Sequence, residues 1–162
     1  MSEDGIFDDD TETRPVSDRE IKYLIGKAGA TRLRIEQFSG TKLKVEGERG
    51  KRQILTIMGS GAQRDLAILA VNVITQQMDG DKVTLDYEDL ESRFVDRLST
   101  IDVPNAQVGV LIGTRGETMR AMERKHKTFM FFKTEELVAD SKCLYILGDK
   151  EARRVAVAEV IH

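Results

Sequence analysis

A chain of 162 residues that is 40% hydrophobic and 33% charged has the apolar content for one or two packed cores and the polar surface of a soluble protein. One cysteine, Cys143, excludes an intramolecular disulfide, fits a reducing intracellular compartment and offers no metal-ligand spacing. The longest apolar stretch, Leu66 to Ile74, is far too short for a bilayer span and is broken by Asn72, so no membrane partner is expected.

Residues 1–12 are acidic, with only Ile6 and Phe7 apolar, and read as a disordered tail; no basic region precedes an apolar one, so they do not read as a signal peptide. Thr13 to Val16 predicts a short strand that Pro15 confines to a sheet edge. Ser17 or Asp18 caps the helix that follows, with Glu20 in its first turn and Ile21, Leu24 and Ile25 as its apolar stripe. After Gly29 a second helix runs from about Ala30 to Phe38, with Leu33, Ile35 and Phe38 as candidate core positions, and Ser39-Gly40 stops it. Thr41 to Val45 alternates apolar and basic and reads as a strand with one buried face. Glu46 to Arg52 is a polar loop, Gln53 to Met58 a further strand, and Ser60 caps a long helix reaching about Met78. Residues 79–97 form an acidic connector with a pattern of its own. Val83, Leu85 and Tyr87 alternate like a strand, and Leu90, Phe94 and Leu98 recur every four residues like an amphipathic helix.

The stretch Leu24-Ile25-Gly26-Lys27-Ala28-Gly29 returns as Leu111-Ile112-Gly113-Thr114-Arg115-Gly116. Each copy ends one helical segment with Gly-x-x-Gly and opens another. Two glycines three apart let the backbone take unusual dihedrals and let a ligand backbone come close. The helix after them presents unpaired N–H groups and the positive end of its dipole, which suits a phosphate. Each loop also carries a cation, Lys27 or Arg115. Sliding the chain forward by 87 residues places Val16 on Val103, Gly26 on Gly113, Lys42 on Phe129 and Leu43 on Met130. With two further residues in the second loop, Ile57-Met58-Gly59 falls on Ile146-Leu147-Gly148, and the last helix starts near Asp149-Lys150. The chain is an internal repeat.

Charge follows the repeat. The formal net charge is -3, yet residues 21–78 carry ten bases against four acids and residues 103–162 carry ten against eight. The excess acid sits in the tail and connector. Local charge on one face is what a polyanion meets.

With these residues in view, the chain resembles a tandem pair of KH domains of the type I arrangement, β-α-α-β-β-α. The second copy carries the pattern well, as Val108-Gly109-Val110-Leu111-Ile112-Gly113-Thr114-Arg115-Gly116 followed by Met119 and Met122. The first departs from it: Lys22 stands where Gly109 does, and Arg32 where Met119 does. In the second copy His126-Lys127 replaces the turn matched by Ser39-Gly40. The resemblance implies an α+β fold of two domains, 13–78 and 98–162, each a three-stranded antiparallel sheet packed against three helices. It implies binding of about four nucleotides of single-stranded nucleic acid per domain, with the loop on the backbone and the bases in a groove beside the second strand. Carried over residue by residue, the first site comprises Leu24, Ile25, Gly26, Lys27, Ala28, Gly29, Arg32, Lys42, Leu43, Lys44 and Val45. The second comprises Val108, Gly109, Ile112, Gly113, Thr114, Arg115, Gly116, Met119, Phe129, Met130 and Phe131. Phe129, Phe131 and Phe132 share one strand, and core packing is the favoured reading for them over base stacking.

Single-stranded RNA is therefore the expected partner, in post-transcriptional regulation or processing in the nucleus or cytoplasm. Single-stranded DNA, or a protein-interaction and self-association scaffold, remain the alternatives. No enzyme, metal or cofactor is expected. Gly47 to Arg52 lacks the Gly-x-x-x-x-Gly-Lys-Ser/Thr of a phosphate-binding loop, and neither His126 nor His162 has an acid or cysteine at a metal-ligand spacing.

Overall fold

The computed structural model describes residues 10–79, 85–134 and 140–161. It divides into two units, Met1–Leu85 and Asp86–His162. The first unit runs β1 (Thr11–Val16), α1 (Asp18–Ile25), a 3-10 turn (Lys27–Gly29), α2 (Ala30–Ser39), β2 (Lys42–Glu46), β3 (Gln53–Met58) and α3 (Gly61–Asp79). β3 is central and antiparallel to both neighbours, with Leu55 opposite Arg14 on one side and Val45 on the other. Pro15 thus lies on an edge strand, where its missing N–H costs no ladder bond.

The helix starts follow from local chemistry. The Ser17 hydroxyl accepts from the Glu20 N–H at 3.1 Å while the Glu20 carboxylate accepts from the Ser17 N–H at 3.0 Å. Ser60 and Gln63 repeat the exchange ahead of α3, at 3.2 and 2.9 Å. Leu24, Ile35, Leu43, Leu55 and Ile57 are buried. Leu33, expected beside Ile35 in the core, is instead 50% exposed, and Phe38 is half-buried. Residues two apart lie roughly 200° around a helix, so Leu33 and Ile35 cannot share a face.

The second unit opens with α4 (Tyr87–Arg93), then repeats the order: β4 (Leu98–Pro104), α5 (Asn105–Ile112), a 3-10 turn (Thr114–Gly116), α6 (Glu117–His126), β5 (Phe129–Phe132), β6 (Ser141–Leu147) and α7 (Lys150–Ile161). β6 is central between β4 and β5, both antiparallel to it. Each unit is therefore a three-stranded sheet with helices, and the fold is α+β. Of the connector residues, Val83 lies outside the described residues. Tyr87 opens a helix rather than ending a strand, because the Asp86 carboxylate accepts from the Asp89 N–H at 3.0 Å and caps it. Leu90 and Phe94 are buried at the four-residue spacing, and Leu98 begins β4. Among the described residues no helix is long and apolar enough to cross a membrane.

The repeat extends into hydrogen bonds. The Gly59 N–H donates to the Asp10 carbonyl at 2.8 Å, as Gly148 does to Arg97 at 2.9 Å. Arg64 Nε donates to the Gly59 carbonyl at 3.1 Å, as Arg153 Nε does to Gly148 at 2.9 Å. Arg153 goes further and donates to the Leu98 and Asp96 carbonyls and the Ser99 hydroxyl, at 2.9, 2.7 and 2.9 Å.

The two sheets differ on the face turned away from Leu43 and Met130. In the first unit that face of β2 carries the exposed Lys42 and Lys44. In the second it carries Phe129 and Phe131, at most 1% exposed, with Tyr145 beside Phe131 at 5.3 Å between ring centroids and Tyr87 meeting Tyr145 edge-on at 5.6 Å. Burial, with the Glu91 carboxylate adding to it, pushes the Tyr145 phenol well above its ordinary range, so the ring stays neutral.

Candidate nucleic-acid interface

The paired loops have the same backbone. Gly26 stands at φ 75, ψ 177 and Gly113 at φ 78, ψ 177, an orientation that costs a residue with a side chain dearly. A Cβ on Gly26 would lie 2.3 Å from Thr31 Oγ1, and one on Gly113 would lie 2.1 Å from Thr118 Oγ1, so the glycines are required by packing as well as by conformation. The second loop residue is left-handed in both copies: Ala28 at φ 55 and Arg115 at φ 56. The last glycine, Gly29 or Gly116, donates to the first glycine's carbonyl at 3.2 Å and closes the turn.

The two cations do not occupy the same place. Lys27 is the first residue between the glycines and Arg115 the second, so the charge meets the ligand from different points of the turn. Lys27, Ala28, Thr114 and Arg115 are all exposed. Among the described residues no ion pair engages Lys27, Arg32, Lys42 or Arg115, whereas Lys44 pairs with Glu46 at 3.0 Å. The helices that follow, α2 and α6, start at Gly29 and Gly116 without a side-chain cap, in contrast to α1, α3 and α4. The first amide of each helix is spent within the turn, Ala30 donating to the Lys27 carbonyl and Glu117 to that of Thr114, so what each helix turns toward the loop is the positive end of its dipole. The first turn of α6 contains Glu117, while that of α2 contains no acid, so the first loop is the more electropositive.

Beside the loops, the candidate groove residues fall into two groups. Leu24, Leu43, Met119 and Met130 are buried. Ile25, Val45, Val108 and Ile112 are half-buried, Val108 and Ile112 packing against the second core, and Arg32, Lys42, Lys44 and Gly109 are exposed. Phe129 and Phe131 are buried on the opposite face of the sheet, because strand side chains alternate, so their rings do not line the groove. Phe132, half-buried and one step along from Phe131, takes the place that Val45 has in the first copy. Gly109 lies within α5, and a Cβ there would meet nothing within 4 Å. Neither packing nor backbone conformation calls for a glycine at that point.

Sequence reading did not single out the two threonines over the loop glycines or a pair of glutamates. The Glu36 carboxylate accepts from the Leu43 N–H at 2.8 Å, and the Glu123 carboxylate accepts from the Met130 N–H at 2.7 Å. Glu123 also pairs with Arg120 at 3.0 Å. All of these obey the 87-residue offset, which is the signal that would have found them. Among the described residues no group of three His, Cys, Asp or Glu side chains is placed to hold a metal ion.

By sequence, no curated protein matches the chain. Among solved structures it is similar to Dim2p from Pyrococcus horikoshii, at 19% identity and a TM-score of 0.32 over 92% of this chain and 88% of that one. It is also similar to a chain in the a/eIF2alpha–aDim2p–rRNA complex from the same organism, at 18% identity and a TM-score of 0.32 over 93% and 83%. A protein of unknown function from Aeropyrum pernix matches at 19% identity and a TM-score of 0.34 over 93% and 80%. The KH domain family matches residues 11–72 and again 99–162. These two stretches make up most of the sequence and each holds one of the paired loops: the chain belongs to the KH-domain family.

Proposed function

We propose that the chain binds single-stranded RNA through its two Gly-x-x-Gly loops, about four nucleotides to each domain. The observation that carries this reading is the pair of exposed loops of matching backbone, each with a cation that no ion pair engages among the described residues and each opening a helix without a side-chain cap. Phosphates rest on the exposed loop at the positive end of the helix dipole, with Lys27 or Arg115 adding charge. The bases lie against Ile25 and Val45 in the first domain, and against Val108, Gly109, Ile112 and Phe132 in the second. The role is positioning and recognition, without catalysis, in intracellular RNA regulation or processing.

The two sites divide the work. The first has the more electropositive loop and carries Lys22 where the second has the bare Gly109. Phosphate contacts position while base contacts specify, so the first domain supplies salt-sensitive affinity and the second the sharper base discrimination. Titrating the full chain with labelled single-stranded RNA and DNA oligonucleotides at two salt concentrations tests the reading. A binder shows affinity that falls with salt; a protein-interaction scaffold shows no affinity for either, and preference for the DNA set would replace RNA as the ligand.

A further inference from the structure

We propose that Glu36 and Glu123 fix the register in which each groove holds its RNA, by withholding one backbone amide of the groove strand. The inference rests on the RNA-binding reading above. β2 and β5 are edge strands, each paired on one side only, to β3 and β6. On such a strand the N–H and C=O groups of alternate residues point away from the sheet. The Lys133 N–H donates to the Cys143 carbonyl at 2.9 Å, so Lys133, Phe131 and Phe129 face β6. Met130 and Phe132 then turn their backbone groups to the open edge, and the Leu43 N–H bond to Glu36 puts Leu43 and Val45 in the same position on β2.

Each edge therefore offers two stations at which a base could be held by a donor and an acceptor of one residue. The first station is closed. The Leu43 and Met130 amides are taken by carboxylates, which accept only and offer no donor in exchange. At the second station, Val45 or Phe132, the amide faces the open edge and meets no acceptor among the described residues. Bidentate contact is what gives a base its discrimination, and only this second station supports it. A strand of RNA is thus read in one register in each domain and not one step along.

The arrangement occurs twice by different means, which argues for its purpose. Glu123 is 3% exposed and has Arg120 at 3.0 Å to balance its charge. In the first domain Leu33, half-exposed, stands at the position of Arg120, and Glu36 still reaches the same amide. Sealing an edge against another strand is a role a carboxylate can play anywhere along it; here each carboxylate sits on the amide two residues before the open station.

The test uses the full chain with Glu36→Ala, Glu123→Ala, and the matching Glu→Gln changes, which keep an acceptor; Glu36→Met and Glu123→Met keep the volume should alanine fail to fold. Amide hydrogen exchange at Leu43 and Met130, without RNA, reads the masking itself. It should quicken about tenfold or more in the Ala or Met variants and stay slow in the Gln variants. Affinities are then measured across oligonucleotides in which the preferred base is moved by one nucleotide. Wild type should reject the shifted set about tenfold, the Ala or Met variants should bind both sets alike, and the Gln variants should match wild type. Unchanged exchange overturns the masking. Fast exchange with discrimination intact shows a structural cap only and overturns the register role. Wild-type protein that binds no oligonucleotide overturns the RNA reading, and the register with it, even where the exchange arm confirms the mask.

Discussion

Replacing Gly109 with alanine separates stability from function at one atom. In the interior of α5 a glycine costs about 1 kcal/mol relative to alanine, through backbone entropy and exposure of the helix backbone. Here nothing within the molecule requires that cost. The helix continues through Gly109, whose carbonyl accepts from the Gly113 N–H at 2.9 Å, and an added Cβ meets no atom within 4 Å. Gly109→Ala should therefore stabilise the second domain by up to about 1 kcal/mol, a rise of roughly 4–8 °C in the midpoint of a unit of this size. The same methyl would stand where a base approaches the groove. Overpacking of that kind costs about 1–3 kcal/mol, or roughly 5- to 150-fold in affinity. Thermal unfolding and fluorescence anisotropy with single-stranded RNA measure the two effects on one preparation. Higher stability with weaker binding is the expected pair. A fall in stability would mean that α5 needs its glycine for internal reasons. A rise in stability with binding untouched would mean that the groove does not pass over Gly109.

Lys127 ends α6 at φ 54, a left-handed conformation that favours glycine, so Lys127→Gly should raise stability by about 1 kcal/mol in urea unfolding, as Gly40 already does for α2. Arg153→Met should cost about 3 kcal/mol in the same assay, because three carbonyls and the Ser99 hydroxyl lose their donor in a site only 9% exposed. Thr114→Asp with Arg115→Asp should flatten the base preference of the chain across an oligonucleotide panel more than Lys27→Asp with Ala28→Asp does. The latter should instead lower the salt slope more; the reverse pattern would reverse the division of labour between the domains.

Most of the scaffold was legible because it is written in local chemistry. Ser17 with Glu20, Ser60 ahead of α3, Gly40 after α2 and the alternation around Leu43 each announce an element, and the repeat doubles every signal. What was not legible depends on which face a side chain takes. Leu33 and Ile35 both look like core residues until helix geometry forces a choice between them. Phe129 and Phe131, favoured as core residues over a stacking platform, are indeed buried, and strand alternation puts the half-buried Phe132 on the other face of β5. Glu36 and Glu123 carry no periodic signal at all: a glutamate on a charged helix reads as surface, and only the meeting of α2 with β2 and of α6 with β5 shows each carboxylate on a strand amide. Tyr87 belonged by alternation to a strand, yet Asp86 caps the next residues into a helix.

The central claim is that both loops hold an RNA backbone. Its most direct test is the affinity of the full chain for single-stranded RNA with Lys27→Asp and Ala28→Asp in the first loop combined with Thr114→Asp and Arg115→Asp in the second. Aspartate tolerates the left-handed backbone of Ala28 and Arg115, and all four side chains are exposed, so circular dichroism and the unfolding midpoint should stay close to wild type. The account predicts that each single-loop variant weakens binding and that the four-residue variant abolishes it while remaining folded. A folded four-residue variant that binds RNA as wild type does would contradict it.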